Sequence, residues 1–300
     1  MKQWFSVLLL LITLTSSAQR KRLPAQIAND TERVKALVLI LAADTMKQSV
    51  HWPNITPKAF IDNLKRNIKY PLEISTGKST NFCGYGAVTY TCLKNEPLQY
   101  AECMLSLYRN GEGYYRNIKL APSETIKKEA GLMTYQGDLD INPADQIWFL
   151  SLAHRFKGYL NFFNQHYNKG DENTIWASTN LAKFNKMLRK LCKYKVSSKG
   201  SDLLRPSIKD LPAFLKEKLS GGEVYMYLNN SLLRKKNHNR VKKRIPTHYV
   251  VLNEINYNDD RVLIKYWDGG YKTVKEVTPG VLKQIIYGIS WVMYKEKTDE

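Results

Sequence analysis

Two different spacings of apolar residues run along this chain, and the change from one to the other divides it. Residues 31–46 carry a helical pattern that opens at Thr31 and Glu32, and a second helix is expected after Thr56 and Pro57, where Phe60, Leu64 and Ile68 recur every four positions. Residues 71–81 (PLEISTGKSTN) are polar and turn-rich and run directly into CGYGAVTYTCL, which reads as a helix beginning at Cys83. Between about residues 100 and 195 helical signals dominate. PSE at 122–124 and NPAD at 142–145 have the form of helix starts, and IWFLSLAHRF and LAKFNKMLRKLCKY are amphipathic, so a helical block is expected here, with GEG at 111–113 as a turn. A linker-like SSKGS at 197–201 follows, then a helix over 208–219 and Gly221-Gly222. Beyond these the spacing falls to two in EVYMYL, THYVVLNEI, RVLIKYW and YKTVKEV, with turn chemistry at 258–260 (NDD) and 268–270 (DGG). These patterns predict an α+β fold with segregated layers, a helical N-terminal half and an antiparallel β C-terminal part.

Composition narrows the class. With 43% apolar residues in 300, the chain has material for a packed core, and 46 Lys and Arg against 27 Asp and Glu give a net charge of +19. The opening MKQWFSVLLLLITLTSSAQ has one Lys, an apolar run over 4–14 and small residues before Gln19, the layout of a signal peptide over residues 1–18. Export to the periplasm or the cell exterior is expected. The apolar run is about half the roughly 20 residues that span a bilayer, so no transmembrane anchor is expected after cleavage. The apolar stretch 34–43 is equally short and reads as a core helix. Removing residues 1–18 deletes only Lys2 among charged groups and leaves +18 on the exported chain, which predicts attraction to an anionic surface or partner. No RNA-recognition, helix-turn-helix or zinc-finger signature is present, and no His-Glu-x-x-His stretch or phosphate loop, so no dedicated nucleic-acid motif, metal or cofactor is expected.

Three residues carry candidate chemistry. Cys83 stands where the polar loop becomes a helix, flanked by Gly84 and Gly86; a sulfur there meets free backbone amides and the positive end of the helix dipole, both of which favour the thiolate. His248 opens a predicted strand, and Asp268 ends another ahead of a Gly-Gly turn, so antiparallel pairing of the two would set the carboxylate beside the imidazole. Nucleophile, base and orienting acid are recognised by such roles, not by contiguous spacing. Taken singly, each has a plain alternative: a small core thiol, a strand-edge histidine, a turn aspartate. The segment 234–244 places seven Lys or Arg in eleven positions just before His248, so Lys235, Lys236, Lys242 and Lys243 are candidates for binding a substrate or partner, against the alternative of a solvated loop. Of the other cysteines, Cys92 and Cys103 either bridge or sit in the core, and Cys192 reads as core. The aromatics of LNFFNQHY at 160–167 read as packing.

These motifs resemble the papain-like cysteine peptidases, and among them the bacterial double-glycine-leader peptidases and their stand-alone relatives. NFCGYGA at 81–87 is similar to the nucleophile signature, GEVYM at 222–226 to the strand ahead of the histidine, HYVVL at 248–252 to the histidine strand and WDGG at 267–270 to the aspartate turn. The resemblance covers about a third of the chain. It implies N-terminal helices over 19–70, then a papain-like domain over 71–300 with a helical insertion at about 105–200. It also implies a cysteine peptidase or related amide hydrolase in which Cys83, His248 and Asp268 act through a thioester on a peptide or protein, cell-wall peptides included. One feature departs: the family places an oxyanion-hole Gln shortly before the nucleophile, whereas residues 75–82 read STGKSTNF. Asn81, Thr80 or Ser79, with the Cys83 amide, are the candidate donors, and losing one such donor typically costs about 100- to 1000-fold in rate. A second class is therefore kept open, a non-enzymatic papain-like module that binds an anionic partner through its basic surface.

Overall fold

The computed structural model describes residues 30–77, 80–135, 138–139, 141–192, 195–229 and 245–293. Helices α1 (Asp30–Ala42) and α2 (Pro57–Lys69) form where the four-residue spacing predicts them, and the Thr56 hydroxyl caps α2 by accepting from the Ala59 amide. Helix α3 (Cys83–Asn95) begins at the nucleophile candidate and α4 (Pro97–Asn110) follows. After these come a hairpin, β1 (Gly113–Tyr115) and β2 (Ile118–Leu120), then α5 (Glu124–Glu129). A two-residue pair, β3 (Thr134–Tyr135) and β4 (Asp138–Leu139), leads to α6 (Pro143–Arg155) and α7 (Leu181–Leu191).

The C-terminal part is one antiparallel sheet. Its strands are β5 (Val196–Gly200), β6 (Gly222–Leu228), β7 (His248–Tyr257), β8 (Val262–Asp268), β9 (Tyr271–Val277) and β10 (Ile286–Met293), ordered β5-β10-β6-β7-β8-β9. Helices α8 (Leu211–Ser220) and α9 (Pro279–Ile285) complete the chain. The period of two decides which layer each side chain meets. Tyr225, Tyr227, Tyr249, Val251 and Trp267 join the core built by α1 to α4, α6 and α7, while Val224, Met226, Val250, Leu252, Ile264 and Tyr266 join a second cluster with Leu211 and Leu215 of α8 and Leu282 of α9. The sheet is thus covered on both faces, and at about 25 cal/mol per Å² of apolar surface this burial is the main stabilising term.

Two expectations are corrected. The middle of the chain is not wholly helical, because GYYRNIKL pairs as β1 with β2, its buried Tyr115 and Ile118 alternating with exposed neighbours. Residues 197–200 are no linker: they lie within β5, an edge strand paired with β10, which tolerates Ser, Lys and Gly because its backbone makes the ladder while Ser198 and Lys199 are exposed. Helices α4, α6 and α7 lie in one core with α3.

Buried polar groups lock the helical layer. Asp145 of α6 accepts from Asn67 Nδ2 at 2.6 Å and from Asn63 Nδ2 at 3.4 Å, both on α2. Glu223 of β6 accepts from Thr91 Oγ1 at 2.8 Å and Lys94 Nζ at 3.1 Å, tying α3 to the sheet. Among the described residues no helix is long and apolar enough to cross a membrane.

Candidate active site

The first turn of α3 carries no side-chain cap, so the amides of Cys83, Gly84 and Tyr85 have no acceptor within the helix and lie at its positive end. Cys83 itself is half-buried. The preceding Phe82 is fully buried between Tyr85 and Phe149, with ring centroids at 5.8 and 5.5 Å, which fixes where the helix starts. Gly86 lets the loop and the sheet approach: a β-carbon there would stand 2.2 Å from Thr76 Cγ2 and 3.1 Å from the Trp267 ring, and one at Gly84 would stand 2.9 Å from Thr179. Small residues around the cysteine are therefore a condition of bringing α3 against β8.

The sheet supplies the other two groups. His248 is the first residue of β7, where its backbone pairs with Leu228 of β6, and Asp268 is the last of β8. The register that pairs Val251 with Trp267 sets Asp268 diagonally across from His248. Trp267 is anchored by its indole donating to the Leu72 carbonyl at 2.9 Å and by stacking on Tyr90 of α3, so the end of β8 is rigidly placed. His248 Nε2 lies 2.5 Å from Asp268 Oδ1, with side chains 14% and 24% exposed. Cys83 is the second group that acts on the imidazole, through hydrogen bonding and charge that favour its protonated form. Burial alone would lower the His248 pKa, but the hydrogen bonds and charges of Asp268 and Cys83 outweigh it and raise it to about 10. The ring is held as an imidazolium at neutral pH.

Aromatic side chains wall this site. Tyr249 is stacked between Tyr227, centroids 4.2 Å apart, and Phe184, 4.3 Å. Burial, with the charge of Cys83 a smaller contribution, pushes the phenols of Tyr85, Tyr227 and Tyr249 upward, so they stay neutral. On the outer side Tyr159 donates to Asp202 at 2.5 Å, and near it Phe162 and Phe163 stand exposed, the latter 96%, which corrects the expectation that this aromatic run is only packing.

The tentative oxyanion donors are turned elsewhere. The Thr80 hydroxyl donates to the Thr76 carbonyl, and Asn81 Nδ2 donates to the Thr174 carbonyl at 2.9 Å while its amide donates to the Glu172 carbonyl at 2.8 Å. The unpaired amides at the start of α3 are the donors nearest the sulfur in sequence. Lys235, Lys236, Lys242 and Lys243, the leader over 1–18 and Ser79 lie outside the described residues.

Sequence reading missed Lys183. Burial and the charge of Lys157 lower its pKa to about 7; it donates to the Ser178 carbonyl at 2.9 Å and lies 5.1 Å from the centroid of Tyr85, two residues from the nucleophile candidate. Its spacing of four from buried Met187 and Leu191 on α7 was the available signal. Among the described residues no group of three His, Cys, Asp or Glu side chains converges as metal ligands would.

No family model, curated protein or solved structure matches this chain. What the site can do is read from its geometry.

Proposed function

We propose that this protein is a papain-like cysteine hydrolase acting on a peptide or related amide bond, delivered outside the cytosol by its leader. The observation that carries the reading is His248 Nε2 2.5 Å from Asp268 Oδ1 at two strand ends, with Cys83 at a helix start as the second group acting on the imidazole. In the reaction, the Cys83 sulfur attacks the carbonyl carbon, and amides at the start of α3 stabilise the oxyanion that forms. The imidazolium of His248 then protonates the leaving amine as the C–N bond breaks, leaving a thioester. Neutral His248 next takes a proton from water, whose oxygen attacks the thioester, and the acid departs as the thiolate and imidazolium are restored. Asp268 keeps the ring oriented and its positive charge stabilised.

The binding reading keeps one observation in its favour, the engagement of Thr80 and Asn81 away from the sulfur. The two readings separate on a covalent intermediate. Incubation with a peptide-library pool, acid quench and intact-mass analysis should show an acyl adduct on wild type that maps to Cys83, absent from Cys83→Ala. Lack of an adduct and of cleavage with wild type, across pools rich in apolar and in basic residues, would favour the binding module.

A further inference from the structure

Away from the site, a pair of thiols faces each other. Cys92, on α3 nine residues after the nucleophile candidate, lies with its sulfur 3.8 Å from that of Cys192, at the C-terminal cap of α7, and both are buried. The expected alternative, Cys92 with Cys103, is not the near pair: the cysteines are free thiols here, and the sulfur contact of Cys92 is with Cys192. A disulfide bond is about 2.05 Å long, so closing this gap asks each sulfur to move by about 0.9 Å, within reach of small side-chain rotations. Helices α3 and α7 are packed together in one core, which holds the two positions in register.

We infer that Cys92 and Cys192 form a structural disulfide that staples the helix bearing Cys83 to α7 when the chain folds in an oxidising compartment. The oxidant is a disulfide of the oxidoreductase or glutathione class. One cysteine thiolate attacks that disulfide, expelling one thiolate and forming a mixed disulfide; the second cysteine, deprotonated, attacks the linked sulfur and expels the other. Two protons and two electrons leave the protein, and the oxidant is reduced to two thiols. In the folded dithiol the hydrogen bond to Cys92 and burial raise the Cys192 pKa and slow exchange, and once the bond is made burial shields both sulfurs from an attacking thiolate. The bond therefore forms during folding and resists reduction afterwards. The two residues are 100 positions apart, so the bridge closes a long loop and constrains the unfolded chain strongly. The inference is independent of the chemistry assigned to Cys83.

The test refolds the full chain from denaturant with a mixture of oxidised and reduced glutathione. Free thiols are then blocked with iodoacetamide under denaturing conditions, and the mass and the tryptic map are read. The expected result is a mass lower by two hydrogens, a cross-linked pair of peptides holding Cys92 and Cys192, and alkylation of Cys83 and Cys103. Refolding the same protein with reductant alone should lower its melting temperature by roughly 10 °C, the shift expected for a loop of this length. A variant in which both Cys92 and Cys192 become Ser should show no further change with reductant. Four alkylated cysteines after oxidative refolding, or a cross-link between any other pair, would overturn the inference.

Discussion

The imidazole of His248 lies between an acid and a thiol, and its charge follows from that position. Its folded value of about 10 stands above the usual 6.5, so the stabilisation from its protonation is whole below about pH 6.5 and is lost as pH rises through about 10. Asp268→Asn keeps the shape and removes the charge that holds the imidazolium. Turnover of a cleaved peptide should fall about 10²- to 10⁴-fold with the circular dichroism spectrum unchanged; undiminished turnover would remove Asp268 from the mechanism. The three residues of the chain were legible in sequence because each stands at a change of backbone state: polar loop to helix, loop to strand, strand to turn. The oxyanion donors were not. Which way Asn81 and Thr80 point is decided by the carbonyls they meet, and Asn81 meets those of Glu172 and Thr174, some ninety residues away.

At the scale of elements, the amphipathic helices were readable, as were the strands β6 to β9 from their Val-, Ile- and Tyr-rich runs between turn residues, while β5 and β10 were not. β10 follows α9 directly, with no turn residue between Ile285 and Ile286, and β5 is an exposed edge of Ser, Lys and Gly. The junction of α3 with β8 is the element contact the site depends on. Gly86→Ala would drive a methyl group into Thr76 and Trp267. We expect a loss of about 1–3 kcal/mol in urea unfolding together with reduced reactivity of Cys83, since the strain falls on the turn that carries it. The contact of α2 with α6 makes a different prediction. Burial raises the Asp145 pKa from 3.8 to about 6, so its ionised form opposes folding above about pH 6 and the opposition is relieved as pH falls toward 3.8. Wild type should gain on the order of 3 kcal/mol from this group over that interval. In Asp145→Asn the corresponding slope of stability against pH should be absent.

Across the whole molecule, the proposed catalytic residues come from two layers of the fold: Cys83 from the helical layer, His248 and Asp268 from the sheet. The central sheet contributes one face to the same core as α3, so loss of the core separates the three. Unfolding followed by tryptophan fluorescence, with Trp148 in the helical layer and Trp267 at the sheet, should therefore coincide with loss of the distinctive reactivity of Cys83. Two separate transitions would mean that the layers fold independently. The central claim, that His248 and Asp268 activate Cys83, is tested most directly by the rate of alkylation of Cys83 with iodoacetamide at pH 7, read by peptide mass, in wild type, His248→Ala and Asp268→Asn. A base and its orienting acid beside the sulfur predict alkylation faster than that of a free cysteine in wild type, slower in Asp268→Asn and at the free-cysteine rate in His248→Ala. A Cys83 that reacts no faster than free cysteine in wild type, or equally fast in all three proteins, would contradict the account.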